Sequence, residues 1–84
     1  MAGPNILPFG GTVDYPTWFI GQPTRLYVEN PDKHYPGKVT VWAAGAHEDV
    51  LVYGGKTKSI LRDWGGVNIS VTNTGGPTLK VWTE

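Results

Sequence analysis

Two short segments, Val39-Thr40-Val41-Trp42 and Leu79-Lys80-Val81-Trp82, decide the fold because aliphatic side chains alternate with other residues along them. Successive side chains of a β-strand point to opposite faces, so this period of two predicts half-buried strands. Each tryptophan then shares a face with Thr40 or Lys80 and not with the aliphatic residues. Large aromatic side chains on the water-facing side of a sheet indicate a docking surface.

Similar short runs, separated by glycine doublets, extend over most of the chain. The doublets that separate these runs are Gly54-Gly55, Gly65-Gly66 and Gly75-Gly76. Turn signals about every 8–12 residues between short alternating runs are typical of a β-sandwich or barrel. We therefore predict an all-β fold, a small antiparallel β-sandwich of about seven strands with immunoglobulin-like or jelly-roll-like strand order. The predicted strands are residues 17–20, 24–29, 38–44, 50–53, 57–61, 67–72 and 78–83.

The beginning of the chain has a different composition. Three prolines interrupt it: Pro4, Pro8 and Pro16. Because proline cannot donate a hydrogen bond to a strand ladder, we predict an extended N-terminal arm over residues 1–16 and a single sandwich domain over residues 17–84. The apolar residues Ile6, Leu7 and Phe9 would anchor this arm, either along its own domain or on a neighbouring molecule.

Length and charge narrow the function classes. A chain of 84 residues buries only about 60% of the surface that it exposes when unfolded, so its core is marginal. The sequence has no cysteine, so we expect the additional stability to come from packing or from a partner. Seven basic and seven acidic residues balance, which argues against nucleic-acid binding because that requires a basic surface.

The sequence also bears on the cellular location. No stretch approaches the roughly 20 apolar residues of a membrane span, and residues 1–11 lack a charged leader before an apolar run. We therefore expect a protein that is made in the cytoplasm without a signal peptide and does not insert into a membrane.

The relation between the two tryptophans depends on strand order. In the immunoglobulin-like order the third, sixth and seventh predicted strands are neighbours, and Trp42 and Trp82 flank Asn68 at about 10 Å from one another. Trp64, in the turn before the sixth strand, would lie at the same end, where it would either plug the sandwich or contact a ligand. This aromatic and amide cluster has three open interpretations: a second small core covered by a chain terminus, a protein interface, or a sugar site.

The longest predicted connection, residues 30–37, carries His34 and Tyr35. Long loops on rigid scaffolds are common recognition sites, so these two side chains are candidates for partner contact, although such residues also cover sheet edges. We expect this loop to lie at the end opposite the tryptophans, close to residues 54–56 and 73–77.

Catalytic and cofactor motifs are missing from the sequence. The two histidines, His34 and His47, fall in distant segments and form no metal-binding pair along the chain. The two serines, Ser59 and Ser70, read as mid-strand residues outside any nucleophile turn. We predict neither an enzyme nor a metal or cofactor site.

These observations together predict a non-catalytic assembly protein that docks through its arm and an aromatic sheet face. Its partner would be another protein or copies of the same chain, as in a decoration or minor capsid protein of a virus or phage, and the protein would then be found in the virion. The alternative is a small carbohydrate-binding, lectin-like module that uses Trp42, Trp82 and Asn68.

Overall fold

A computed structural model of the chain describes residues 2–84 and has the predicted all-β architecture. Within these residues, eight strands form two four-stranded antiparallel sheets that pack face to face. The strands are β1 (Ala2–Leu7), β2 (Thr12–Tyr15), β3 (Thr24–Glu29), β4 (Gly37–Ala43), β5 (Ala46–Val52), β6 (Thr57–Arg62), β7 (Ile69–Gly75) and β8 (Leu79–Thr83). The predicted antiparallel sandwich is thereby confirmed.

The strand order distinguishes between the two predicted arrangements. The first sheet has the order β1-β8-β3-β6 and the second has the order β2-β7-β4-β5. The first strand therefore pairs with the eighth, the second with the seventh, the third with the sixth and the fourth with the fifth. This nested pairing is the jelly-roll arrangement and not the immunoglobulin-like one.

The core forms between the sheets from every second residue of the strands, as the alternation predicts. Its buried members are Leu7, Tyr15, Leu26, Val28, Val39, Val41, Val50, Val52, Ile69, Val71, Leu79 and Val81. Two apolar residues of the alternating runs lie outside this core. Leu51 points to solvent because its neighbours Val50 and Val52 face inward, and Val67 is exposed because β7 begins only at Ile69.

The predicted N-terminal arm is wrong, because residues 2–15 contain two edge strands of the sandwich. Leu7 is buried in the core, whereas Ile6 and Phe9 are exposed. Gly3 permits the close approach of β1 to β8. It has a φ of +90°, and a Cβ atom there would lie 3.0 Å from the Cβ of Trp82. Pro4 falls where the register between β1 and β8 is irregular, and edge strands tolerate proline at such bulges.

A further correction concerns the predicted strand over residues 17–20. These residues belong to the connection between β2 and β3, which spans Pro16 to Pro23. Proline at both ends of the connection and Gly21 within it favour a loop over a ladder.

The connections divide between two ends of the sandwich. One end, called the amide end after its buried residues Asn30 and Asn73, carries the connections 8–11, 30–36, 53–56 and 76–78. The other end, called the tip end, carries the connections 16–23, 44–45 and 63–68. The molecule measures 38 × 20 × 18 Å. The width of four strands spaced by about 4.8 Å and the thickness of two sheets about 10 Å apart are both well below 38 Å. The longest dimension of the molecule therefore runs along the strands.

Candidate functional site

The predicted cluster of Trp42, Trp82 and Asn68 does not exist in the structure. Trp42 lies on β4 in the second sheet and Trp82 lies on β8 in the first sheet. The outward faces of the two sheets are on opposite sides of the sandwich, so these tryptophans point away from each other. Asn68 is exposed in the loop before β7. The cluster was inferred from a strand order that the jelly roll replaces.

Trp82 is engaged within its own sheet face. Its ring stacks on the ring of its cross-strand neighbour Tyr27, with centroids 5.1 Å apart and planes 5° from parallel. The Nζ of Lys80 lies 5.6 Å from the Trp82 ring centroid, within the range of a cation–π contact. The Tyr27 hydroxyl donates to Glu84 Oε2 at 3.2 Å. Trp82 is therefore half-buried and already has an aromatic partner.

Trp42 is more open, with 42% of its surface exposed. It belongs to a row of cross-strand neighbours in which Asp14, Ser70, Trp42 and His47 follow one another across the second sheet. The Ser70 hydroxyl donates to Asp14 Oδ1 at 2.6 Å, and the Trp42 and His47 rings lie 6.2 Å apart. An exposed indole thus stands between hydrogen-bonding groups on a sheet face.

Trp64 occupies the connection between β6 and β7, where it is partly buried and packs against the core. Together with Val41, Ala43, His47 and Glu48 it borders a small cavity of about 120 Å³. Trp64 therefore closes the sandwich at the tip end, which is the position expected for a plug.

The loop with His34 and Tyr35 lies at the amide end, in agreement with its predicted position. The amide of Gly55 donates to the carbonyl of Asn30 at 2.9 Å, which joins this loop to the connection between β5 and β6. His34 and Tyr35 are both exposed. Phe9 is exposed at the same end, so the structure brings Phe9, His34 and Tyr35 to one end and leaves Trp42 and Trp82 on the two faces.

The most exposed apolar surface was missed at the sequence level. Trp18, Phe19 and Ile20 are consecutive residues with 47%, 79% and 83% of their surfaces exposed. Val67, from the neighbouring connection, is also exposed and lines with Ile20 a concavity of about 350 Å³. We call these four residues the apolar tip. The run Trp18-Phe19-Ile20 resembles a strand, but prolines on both sides were the signal that it is a loop.

Hydrogen bonds hold the loop of the apolar tip in place. Trp18 N donates to Thr24 Oγ1 at 2.9 Å, and the Thr17 hydroxyl donates to the Val67 carbonyl at 2.6 Å. The Asp63 carboxylate accepts from the amides of Gly21 at 2.7 Å and Gly65 at 3.0 Å. The apolar side chains are thus presented by a braced loop, which lowers the entropy lost on binding.

An unusual backbone conformation lies beside the apolar tip. Ala44 has a φ of +51° and is the one non-glycine residue with positive φ within residues 2–84. It forms with Gly45, whose φ is +82°, the two-residue turn between β4 and β5. Such turns favour Asn-Gly or Gly-Gly, because other residues are strained at positive φ. Strained residues cluster at functional sites, and Ala44 borders the same concavity as Ile20.

Charges are distributed unevenly along the long axis. The half towards the amide end carries all five lysines and two carboxylates, Glu29 and Asp32. The half towards the tip carries two arginines, Arg25 and Arg62, and four carboxylates. These four are Asp14, Glu48, Asp63 and Glu84. Asp49 lies near the middle of β5. The neutral chain therefore has a positive half and a negative half.

Within residues 2–84, no three histidine, aspartate or glutamate side chains lie close enough together to hold a metal ion. No helix in this range is long and apolar enough to cross a bilayer. Burial raises the pKa of Tyr15 to about 12, but its hydroxyl is buried at the junction of the two sheets and donates to Asn5 Oδ1 at 2.6 Å.

Comparisons with known proteins place the chain in a family. A family model, DUF8244, described as a family of unknown function, matches residues 8–84, so the chain belongs to this family. Two uncharacterized proteins of Dictyostelium discoideum are each 36% identical to it, over 84 and 87 residues, and each match covers 99% of both chains. No solved structure matches the chain.

Proposed function

We propose that this member of the DUF8244 family is a non-catalytic assembly protein that docks on another protein through its apolar tip. The observation that carries the proposal is the exposure of three consecutive large apolar side chains, Trp18, Phe19 and Ile20. Contiguous exposed apolar surface marks interaction sites, and aromatic anchors concentrate at the centres of protein interfaces.

The energetic balance supports docking at this tip. Complete burial of one large apolar side chain is worth about 1.5–3 kcal/mol relative to exposure. The hydrogen bonds from Trp18 to Thr24 and from Gly21 to Asp63 already order the loop, so little of this gain would be lost to ordering.

The docking surface differs from the one expected from sequence. The segment taken for an arm forms β1 and β2, and Trp82 is stacked on Tyr27 within the molecule. We therefore propose the apolar tip in place of the arm and the aromatic face. Incorporation into a virus particle stays a prediction.

A double substitution, Phe19→Ser with Ile20→Ser, tests the proposal in the full chain. The size of the protein in extracts of expressing cells is measured by gel filtration. We expect a larger complex for the unmodified chain and its loss in the variant.

The matched control replaces two exposed leucines on the sheet faces, Leu51→Ser with Leu61→Ser, which have 50% and 43% of their surfaces exposed. This control is expected to keep the complex. An unchanged size for the tip variant, or equal loss in both variants, contradicts docking through the tip.

A second candidate function is carbohydrate binding on the face of Trp42, supported by the row Asp14, Ser70, Trp42 and His47. An exposed aromatic ring can stack on the C–H face of a pyranose while neighbouring polar groups bind hydroxyls. A glycan array would compare Trp42→Ala with Trp82→Ala. Because the tryptophans lie on opposite faces, we expect only Trp42→Ala to lose binding, and equal loss in both variants would contradict a site on this face.

A further inference from the structure

We propose that the partner of the apolar tip is a second copy of the same chain, bound head to tail, with the tip of one molecule on the amide end of the next. This inference rests on the proposed docking function of the tip and names its occupant. Three features of the molecule carry it: the charge of the two ends, the side chains exposed at the amide end, and the position of both surfaces on the long axis.

Charge complementarity favours contact between unlike ends. The half of the molecule at the amide end has five lysines against two carboxylates, and the half at the tip has two arginines against four carboxylates. Contact between tip and amide end therefore joins negative to positive surface, whereas a two-fold contact between tips joins two negative surfaces. The same negative charge disfavours an anionic lipid surface as the occupant of the tip.

The amide end also offers apolar surface of a matching kind. Phe9, Tyr35 and Tyr53 are exposed there, on three separate connections. Lys56 and Lys58 are exposed beside them. Lysine stems cover apolar surface and their ammonium groups bind aromatic faces, so this end can accept the aromatic residues of the tip.

The positions of the two surfaces determine which assembly repeated contacts can form. They lie at opposite ends of the 38 Å axis, so one contact leaves one tip and one amide end free. This is a heterologous contact, which continues into a filament or closes into a ring. Each end measures about 20 × 18 Å, which restricts the contact to the smallest interface class, below about 1,200 Å². We therefore expect weak association that depends on concentration and decreases with salt.

Complementation between two variants tests this arrangement. The tip variant is Phe19→Ser with Ile20→Ser, and the amide-end variant is Lys56→Glu with Lys58→Glu. Sedimentation velocity is measured for the full chain and both variants over a range of concentrations at low and high salt, after circular dichroism has shown that both variants are folded. We expect the unmodified chain to increase in mass with concentration and each variant alone to remain a monomer.

The decisive sample is the equimolar mixture of the two variants. The tip variant keeps a functional amide end and the amide-end variant keeps a functional tip, so the mixture can make one contact and no more. We expect heterodimers that do not grow further. A mixture that stays monomeric overturns head-to-tail docking.

Other outcomes separate this inference from the proposed function. Undiminished association of the amide-end variant, together with a monomeric tip variant, indicates tip-to-tip contact and overturns only the head-to-tail geometry. An unmodified chain that is monomeric when pure, but forms a tip-dependent complex in extracts, overturns self-docking and leaves the proposed function standing. Flotation of the unmodified chain, but not of the tip variant, with phosphatidylcholine vesicles overturns self-docking in favour of a lipid surface.

Discussion

The two ends of the sandwich hold their connections in place in different ways. At the amide end, two fully buried asparagines bond to the backbone: Asn73 Nδ2 donates to the carbonyls of Leu7 and Pro77 at 2.9 and 2.8 Å, and Asn30 Nδ2 donates to the carbonyl of Val52 at 3.1 Å. Phe9, Tyr35 and Tyr53 also face water at this end, but they lie on three separate connections, whereas the exposed side chains of the tip are consecutive on one connection. The loop of the tip is held instead by the exposed carboxylate of Asp63, which accepts from the amides of Gly21 and Gly65. The two ends therefore differ in whether a connection is anchored from the core or from the surface.

The largest expected effect is at the amide end. Replacing Asn73 with Ala removes the side-chain donor to the carbonyls of Leu7 and Pro77, and we expect a loss of about 3 kcal/mol in the free energy of unfolding. Urea denaturation measures this loss. The exposed Asn68→Ala serves as the control, with an expected change within about 0.5 kcal/mol.

At the tip, Phe19→Ser with Ile20→Ser is expected to change the free energy of unfolding of the monomer by less than about 0.5 kcal/mol per residue, because both side chains are exposed. Denaturation is measured at a concentration at which the chain is a monomer. A loss as large as that of Asn73→Ala would mean that the tip serves stability and not contact.

The next effect concerns Tyr15, which links the two sheets. Burial raises its pKa from 10.0 to about 12, so the unfolded chain ionises at a lower pH than the folded one. The stability contributed by the neutral hydroxyl is therefore complete below pH 10 and decreases as the pH rises towards 12, by at most about 3 kcal/mol. Denaturation at pH 9 to 12 should show this decrease in the unmodified chain, and a smaller one in Tyr15→Phe. Parallel curves for the two proteins would contradict this role.

A smaller effect is expected where the tip is braced. Asp63→Ala removes the acceptor of the amides of Gly21 and Gly65, both of which are solvent-exposed. We expect a loss of about 1 kcal/mol in stability and weaker self-association in sedimentation, because the tip loses its preorganisation. Stability that falls while association stays unchanged would show that bracing of the loop does not contribute to contact.

The last effect has the opposite sign. Ala44→Asn places a residue that favours positive φ in the turn with Gly45, and we expect a gain of about 0.5–1 kcal/mol in the free energy of unfolding. Thermal unfolding measures it. Ala46→Asn, just outside the turn, is the control and should give no gain.

Local pattern predicted the strands better than their arrangement. Alternation located residues 24–29 and most of residues 57–62 and 79–83, because side-chain period is a local property of a strand. It does not encode which sheet a strand joins. Trp82 was therefore assigned to the face of Trp42, although β8 pairs with β1 and β3.

Proline and aromatic residues account for the remaining differences. Pro4 favours an arm over a strand in the sequence, but a bulge on an edge strand accommodates it. The composition of Trp18-Phe19-Ile20 predicts a strand, because aromatic and β-branched residues favour strands. The decisive observation, exposure of all three side chains, depends on tertiary structure. The candidate site could therefore not be located from the sequence pattern alone.

The nested pairing of the strands also determines the order in which parts of the fold can form. The pair β4–β5 is joined by a two-residue turn, whereas Leu7 of β1 pairs with Leu79 of β8. Hairpins form within microseconds, whereas folds dominated by distant pairings take milliseconds to seconds. Because β8 lies between β1 and β3, the first sheet cannot be completed until the ribosome has released residues 79–83. Folding of this protein is therefore an event that follows synthesis of the whole sandwich rather than one that accompanies it.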